Sequence, residues 1–200
     1  QTYGAATVNR GGWKVITTVD MTAQGQAEQL VANNIRNASA RSSGKADTQA
    51  VVAEDVPTGQ VVALVGGNDF NNPDYGNLNF AATEQVSPGS TFKPYDYVTL
   101  INNNNNVGAG SVLYDSQGPL PGYACTVKGL PPPQGNSNCL QDYDFLYPGP
   151  ITLRYALGGS RNVPAVKAML SAVPNDNSNG KTKSINKVIS TASAMMDNTY

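Results

Sequence analysis

Residues 88–94 read Pro88-Gly89-Ser90-Thr91-Phe92-Lys93-Pro94 and are followed by the largely apolar segment from Tyr95 to Ile101. The Pro-Gly pair interrupts the chain, and a proline inside a helix is tolerated only in the first turn. The sequence therefore predicts a helix that begins near Ser90. Because residues three apart lie on one face of a helix, the hydroxyl of Ser90 and the amine of Lys93 are predicted to lie together at its start.

The 200-residue chain contains no histidine. Hydrolases of the Ser-His-Asp and Cys-His types and histidine-based zinc enzymes are thereby excluded. A lysine can serve as the base of a serine nucleophile, because burial and the positive end of a helix both disfavour the ammonium form. Ser90 is thus the candidate nucleophile and Lys93 the candidate base. The alternative is a Ser90 that only caps the helix and a solvated Lys93.

The spacing Ser-x-x-Lys occurs at three further places. It is a weak signal by itself, and only its context distinguishes the matches. The match at Ser90 alone follows a Pro-Gly breaker and opens an apolar helix. The other three lie in polar loops or at a polar helix start: Ser42/Lys45, Ser178/Lys181 and Ser184/Lys187.

A second polar group lies in the tight loop Ser160-Arg161-Asn162 between two predicted helices. Thr152 is predicted to cap the first of these helices, from Leu153 to Leu157. The loop could point the side chains of Ser160 and Asn162 into a cleft. Alternatively, Asn162 caps the following helix and Ser160 is an ordinary loop hydroxyl.

The first part of the chain predicts strands and one long helix. The turn Val56-Pro57-Thr58-Gly59 predicts a hairpin, and the continuous apolar character of its strands predicts burial on both faces. The predicted elements are a strand from Trp13 to Val19, a helix from Asp20 or Thr22 to about Ser39, and strands from Gln49 to Glu54 and from Gln60 to Val65.

Residues 107–150 are predicted to be an irregular insertion rich in glycine and proline, and a further helix is predicted from Ser184 to Met196. Cys125 and Cys139 within the insertion could form a disulfide, which would contribute about 3 kcal/mol in the chain-entropy account. A disulfide indicates an extracytoplasmic setting. The alternative is two unrelated thiols in a cytosolic loop.

In their order, these segments resemble the transpeptidase domain of class A penicillin-binding proteins. The likeness covers roughly residues 11–173, and its long flanks are far more specific than the short motifs. The segments that carry it are Gly12-Trp13-Lys14-Val15-Ile16-Thr17-Thr18-Val19-Asp20, the hairpin from Val51 to Gly67, Pro88 to Pro94, Leu153 to Leu157, and Ser160 to Val166.

The resemblance implies a role for each candidate residue. Ser90 would attack the carbonyl of a D-Ala-D-Ala stem peptide and form an acyl-enzyme, with Lys93 taking its proton and the Ser90 N–H supplying half of the oxyanion hole. Ser160 would contact Lys93 and relay a proton to the leaving amine, and Asn162 would orient Lys93 and hold the substrate amide. An amine of a second stem peptide would resolve the acyl-enzyme as a cross-link. β-Lactams would acylate the same serine.

Other functions stay open at the level of sequence. A D,D-carboxypeptidase or a penicillin-sensing domain would use the same cleft. A class A β-lactamase is disfavoured, because it needs a glutamate to activate the deacylating water and the last glutamate, Glu84, precedes the nucleophile. The alternative from another class is a non-catalytic cell-surface binding module.

The predicted fold class is α/β, in its α+β form, of the β-lactamase and transpeptidase type. It has an antiparallel sheet flanked by helices and a mostly helical subdomain, with the cleft between them. Residues 1–12 are a predicted linker and residues 13–200 the N-terminal portion of the domain. The third family motif, Lys-Thr/Ser-Gly, is not found, because Lys181-Thr182 is followed by Lys183 and a predicted helix. We expect the remainder of the domain to lie elsewhere, and these residues alone to be inactive or nearly so.

Charge and composition limit the expected partners. The net charge is −1, so no basic field exists for a nucleic acid. No ligand cluster suggests a metal, and no cofactor is expected. The resemblance implies stem peptides and β-lactams as partners, and a parent protein with a glycosyltransferase domain and a cytoplasmic-membrane anchor outside these residues. The expected location is the extracytoplasmic cell envelope.

Overall fold

The computed structural model describes residues 3–41, 47–123, 125 and 139–195. The chain forms two compact units, residues 1–87 and residues 88–200. Each unit combines helices with a two-stranded antiparallel sheet, which confirms the predicted mixed class. In the described part of the chain, every helix is too short or too polar to span a bilayer.

In the first unit, a short helix α1 (Ala5–Asn9) lies within the segment predicted as a linker and buries none of its residues. The long helix α2 (Met21–Arg41) begins where the sequence predicts. Asp20 rather than Thr22 caps this helix. Its Oδ1 accepts hydrogen bonds from the N–H groups of Thr22 and Ala23 at 2.7 and 3.1 Å, which satisfies two of the free donors at the helix start.

The predicted hairpin is confirmed as β1 (Val51–Asp55) and β2 (Gln60–Val65), paired antiparallel. Its turn begins one residue earlier than predicted, because the carbonyl of Asp55 accepts from the N–H groups of Thr58 and Gly59. Gly59 has a φ of +68°. This left-handed conformation is open to glycine without steric cost, so Gly59 can close the turn and return the chain into β2.

The prediction that the hairpin is buried on both faces is wrong. Exposure alternates along β1, where Val52 and Glu54 are exposed. Within the described residues of this unit, α2 packs against one face of the hairpin. The apolar core formed there consists of Ala27, Val31, Ala63 and Val65.

The run from Trp13 to Val19 does not form the predicted strand. At its end, the N–H of Asp20 donates to the carbonyl of Val62 at 2.9 Å. Val15 and Ile16 are 78% and 82% exposed. The run therefore lacks the cross-strand side-chain packing that stabilises a strand, although its residue types favour a strand.

The second unit is mainly helical. A 3₁₀ turn over Gly89–Phe92 leads into α3 (Lys93–Asn103), which confirms the helix predicted near Ser90, with its proline in the first turn. The remaining helices are α4 (Leu153–Gly158), α5 (Asn162–Leu170) and α6 (Thr182–Met195), and a second 3₁₀ turn covers Asn179–Lys181.

The segment 107–150 is less irregular than predicted. Its ends contain β3 (Val112–Asp115) and β4 (Gly149–Thr152), which pair antiparallel. Each strand has only four residues, too short for the alternation that would reveal it in the sequence. Cys125 and Cys139, which lie between the strands in the sequence, are joined by a disulfide with their Cα atoms 4.3 Å apart.

Helix α4 begins at the predicted cap, since Thr152 Oγ1 accepts from the N–H of Tyr155 at 3.4 Å. Helices α3, α4 and α5 enclose the apolar core of this unit. Through this core, the second half of α3 is held in place, and with it the residues at its start. The buried core residues are Tyr97, Leu100, Leu153, Ala156, Ala165 and Ala168.

Candidate active site

Ser90 and Lys93 lie at the start of α3, in the 3₁₀ turn and at the first helical residue. Gly89, directly before them, has a φ of +54°, which lets the chain turn sharply into the helix. The side chain of Ser90 is exposed, whereas Lys93 is only 8% exposed. Ser90 is thus open to solvent, whereas Lys93 is largely enclosed.

The amine of Lys93 contacts the loop that the sequence singled out. Its Nζ donates to the carbonyl of Ser160 at 2.5 Å and to Oδ1 of Asn162 at 2.6 Å, and it lies 3.1 Å from Oγ of Ser160. These contacts join residues 67 and 69 positions apart in the chain. The structure therefore brings Lys93, Ser160 and Asn162 together.

A cavity of about 300 Å³ is lined by Lys93 and Asn162 and also by Ser90. Its lining includes both members of the Ser-x-x-Lys pair, so they face one space. Among the described residues, the hydrogen bonds of the Lys93 amine go to the Ser160–Asn162 loop and none goes to Ser90. The residues that line the cavity include Gly89, Ser90, Phe92, Lys93, Asp96, Tyr123 and Asn162.

The contacts of Lys93 dictate where its lone pair points when the amine is neutral. The carbonyl of Ser160 and Oδ1 of Asn162 can only accept hydrogen bonds, and a neutral amine has two N–H groups to donate. With both donors so occupied, the lone pair is left for a hydroxyl proton. The hydroxyl of Ser160 is already at 3.1 Å, and that of Ser90 shares the cavity.

Burial lowers the pKa of Lys93 below its ordinary value, because the charged amine loses its hydration. The carboxylates of Asp142 and Asp96 act in the opposite direction, and the guanidinium of Arg161 lowers the pKa further. Three charged groups thus surround the amine. Their balance leaves it easier to deprotonate than a solvated lysine, which suits a general base.

Asp96 is a member of the site that the sequence analysis did not identify. It lies one helical turn after Lys93, lines the same cavity and is 6% exposed. Its Oδ1 is buried without a hydrogen-bond partner among the described residues. Burial raises the pKa of Asp96 to about 7, although the neighbouring Lys93 lowers it. Its spacing of three from Lys93 is the signal that could have revealed it.

Asn162 does not cap α5. It is the first residue of that helix, Arg161 is the cap residue, and the Asn162 side chain bonds elsewhere. Its Nδ2 donates to the carbonyl of Gln141 at 2.7 Å, and its backbone N–H donates to Oδ1 of Asp142. The alternative of an ordinary N-cap is therefore ruled out by the geometry.

Arg161, the middle residue of the loop, is paired with carboxylates that are distant in the sequence. Its Nε lies 2.6 Å from Oδ2 of Asp115, and its Nη1 lies 2.7 Å from Oδ2 of Asp144. Burial raises the pKa of Asp115 to about 6, the neighbouring carboxylate of Asp142 adds to this effect, and Arg161 opposes it. Nothing in the sequence pattern links these acids to the loop.

The other Ser-x-x-Lys pairs do not form such a site where they are described. Ser184 is fully buried, and its Oγ accepts from the N–H of Val173 at 3.2 Å. Ser178 donates to Oδ1 of Asp176. The pair Ser42/Lys45 lies outside the described residues.

Part of the chain matches a known protein family. Residues 49–111 match the family described as "Penicillin binding protein transpeptidase domain". The chain is 37% identical over 122 residues to penicillin-binding protein 1A of Neisseria gonorrhoeae, covering 61% of this chain and 14% of that protein. It is 31% identical over 158 residues to penicillin-binding protein 1A/1B of Bacillus subtilis, covering 78% of this chain and 15% of that protein.

Solved structures show the same fold. The penicillin-binding protein PonA1 from Mycobacterium tuberculosis superposes with a TM-score of 0.59 at 23% identity, over 92% of this chain and 40% of that chain. Penicillin-binding protein 1A from Haemophilus influenzae gives a TM-score of 0.50 at 24% identity, over 70% of this chain and 18% of that chain. The chain spans only about a seventh of the length of the first curated relatives that it matches.

Proposed function

We propose that this chain, a homologue of the class A penicillin-binding proteins over their transpeptidase domain, carries the nucleophile of a peptidoglycan D-alanyl-D-alanine transpeptidase. In this proposal Ser90 is acylated, Lys93 is its base, and Ser160 and Asn162 complete the acylation site. The substrates are peptidoglycan stem peptides, and β-lactam antibiotics acylate the same serine.

The observation that carries the proposal is the placement of the Lys93 amine. It is buried, hydrogen-bonded to Ser160 and Asn162, and faces a cavity that Ser90 also lines. A buried amine with no carboxylate in hydrogen-bond contact among the described residues is not a structural ion pair. Catalytic hydrogen bonds are often long or poorly aligned in free enzymes and tighten when substrate binds, so the lack of a bond between Ser90 and Lys93 among the described residues is compatible with the proposal.

The chemistry follows from these contacts. Ser90 Oγ forms a bond to the carbonyl carbon of the penultimate D-alanine, and its proton passes to the lone pair of Lys93. The terminal D-alanine leaves as an amine, and Lys93 returns the proton to it through the hydroxyl of Ser160. The amine of a second stem peptide then attacks the ester carbonyl, the C–O bond to Ser90 breaks as the cross-link forms, and the proton of the amine passes through Lys93 to Ser90 Oγ.

The same proposal places the protein in the extracytoplasmic cell envelope. The disulfide between Cys125 and Cys139 agrees with an oxidising compartment. By analogy with the bifunctional relatives, the parent protein also carries a membrane anchor, a glycosyltransferase domain and the rest of the transpeptidase domain.

Labelling of the full-length protein with a fluorescent penicillin tests the proposal. The wild-type protein should form a covalent adduct, and Ser90→Ala should abolish it because the acylated hydroxyl is gone. Ser87→Ala removes an exposed hydroxyl three residues earlier and should label normally. A labelled Ser90→Ala protein, or an unlabelled wild type, would contradict the proposal.

The role of Lys93 is tested with Lys93→Arg, which keeps a positive charge that cannot act as a base. We expect the acylation rate constant to fall by roughly 100-fold or more, the usual contribution of a general base. Lys187→Arg is the matched control, because Lys187 occupies the same position in another Ser-x-x-Lys pair and is exposed. Acylation retained in Lys93→Arg would remove Lys93 from the mechanism.

A further inference from the structure

The Ser160–Asn162 loop is held by a segment that the sequence shows only as part of an irregular insertion. We call residues 139–146 the support segment. It begins at Cys139, which the disulfide ties to Cys125. Gln141 and Asp142 of this segment contact the loop at Asn162, the same residue that is hydrogen-bonded to Lys93.

The first contact determines which way the amide of Asn162 faces. The carbonyl of Gln141 can only accept a hydrogen bond, so the Nδ2 of Asn162 must point at it, at 2.7 Å. Oδ1 of the same amide is then turned towards the Lys93 amine, at 2.6 Å. With the amide reversed, an NH₂ group would face the amine and could not accept its N–H.

The second contact fixes the backbone of the loop. Oδ1 of Asp142 accepts the N–H of Asn162, at the first residue of α5. Oδ2 of Asp142 lies 3.5 Å from Nη2 of Arg161, which also donates to the carbonyl of Leu146. Asp142 is only 1% exposed. One buried carboxylate therefore contacts two consecutive residues of the loop.

Asp142 also acts on Lys93 through its charge. The charged groups that face the Lys93 amine are Asp142, Asp96 and Arg161. The carboxylate of Asp142 raises the pKa of Lys93 and the guanidinium of Arg161 lowers it. Because Arg161 and Asp142 are partners, the pair can set the position of the amine without leaving a large net charge beside it.

We propose that Asp142 is a positioning residue for acylation of Ser90, which orients Asn162 and through it the Lys93 amine. The inference rests on the proposed function of Ser90 and Lys93. It assigns to the support segment a task in the reaction: to hold the loop in the one arrangement in which the lone pair of Lys93 faces the hydroxyls.

The experiment compares three variants in the full-length protein by the acylation rate constant and the dissociation constant for fluorescent penicillin. Asp142→Ala removes both contacts and should lower the rate constant by roughly 10- to 100-fold, as groups that orient a reacting side chain do, with the dissociation constant changed less than about 3-fold. Asp142→Asn keeps an acceptor for the Asn162 N–H and should recover most of the rate. Asp144→Asn removes another carboxylate from Arg161 without touching Asn162 and should lose less than Asp142→Ala.

The pH profile separates positioning from a general loss of structure. Asp142→Asn removes a negative charge that faces Lys93, so the pKa of the amine falls and the acid limb of the acylation profile should move to lower pH. An acid limb that does not move in Asp142→Asn, together with an undiminished acylation rate constant in Asp142→Ala, would overturn the inference. Equal losses in Asp142→Ala and Asp144→Asn would do the same, because they would reflect stability alone.

A second measurement does not depend on acylation. Trace acetic anhydride modifies neutral amines, and mass spectrometry reads the extent at each lysine. In Asp142→Ala the released Lys93 should react several-fold faster than in the wild type, relative to the exposed Lys183. If the wild type is not labelled by penicillin, the proposed function fails, whereas an unchanged reactivity of Lys93 contradicts the positioning by Asp142.

Discussion

The apolar core of the first unit and the candidate site of the second unit bury opposite kinds of side chain. The core between α2 and the hairpin of the first unit is made of alanine and valine, whereas the site in the second unit buries charges. Apolar burial is favourable without regard to direction, but a buried charge must meet a partner at a defined distance. The charged region therefore depends on contacts that reach across the whole second unit. Its buried charged side chains are Lys93, Asp96, Asp115, Asp142 and Arg161.

Helix α3 combines apolar burial and burial of charges in a single element. Its middle contributes Tyr97 and Leu100 to the apolar core, while its start contributes Lys93 and Asp96 to the charged site. The apolar half anchors the helix, and the anchored helix holds the lysine where the loop can reach it. This division explains how a costly buried amine is kept at a fixed place.

Replacing Arg161 by methionine should give the largest effect. It leaves Asp115 and Asp142 buried without their cation, and breaking a buried pair on one side costs about 3–5 kcal/mol. Hydrogen–deuterium exchange in the full-length protein should show faster exchange in peptides of residues 139–170, with the α2 peptides unchanged. Normal protection around the loop would show that the charged cluster is not what holds it.

Val31→Ala tests the apolar side of the comparison. It removes part of a fully enclosed side chain between α2 and β2 and should destabilise the first unit by about 2 kcal/mol. The loss should be the same at pH 5 and pH 8, since no charge is involved. Exchange of the α2 peptides measures it, and a pH-dependent loss would contradict the purely apolar account.

Asp96→Asn tests the pH dependence of the charged side. The folded pKa of Asp96 is about 7, above its ordinary value of 3.8, so the folded state binds more protons and its stability falls as the pH rises through this interval. In Asp96→Asn the free energy of unfolding should therefore fall by about 1 kcal/mol less between pH 5 and pH 7 than in the wild type, after allowance for solvent screening. Exchange of the α3 peptides at the two pH values measures it. An unchanged slope would place the titration on another group.

Asp20→Ala should have the smallest effect. The variant removes the acceptor for two N–H groups at the start of α2, a loss of about 1 kcal/mol for an exposed cap. Exchange should accelerate in the first turn of α2 and not in the second unit. A loss as large as that of Arg161→Met would mean that the first unit depends on polar contacts as much as the second does.

Local signals predicted the elements that local physics controls. Asp20 before α2, Pro94 after Ser90 and Thr152 before α4 each act within one turn of the chain, and each prediction is confirmed. The Trp13–Val19 strand and the two-sided burial of the hairpin were wrong, because both depend on which surfaces pack together. Residue preferences for strands describe a half-buried surface, not the presence of one.

The candidate site residues divide in the same way, into those that local sequence signals identify and those that only distant contacts reveal. Ser90 and Lys93 could be selected from their position at a helix start, and the Ser160–Asn162 loop from its place between two helices. Asp96 was within reach of the same reasoning, since it shares the helix face of Lys93. The acids that hold Arg161 could not be predicted in this way, because Asp144 and Asp115 lie 17 and 46 positions from Arg161 in the chain.

Three features follow from the sequence alone: the absence of histidine, the Ser-x-x-Lys pair at a helix start, and the family resemblance. Those features depend on composition and on contacts within a few residues, which any chain of this sequence must have. Only the folded chain determines that the Lys93 amine meets Ser160 and Asn162, and that Asp142 and Arg161 hold them there. Such contacts join distant residues in a low-dielectric interior, where partners are selected by geometry and charge balance rather than by spacing along the chain.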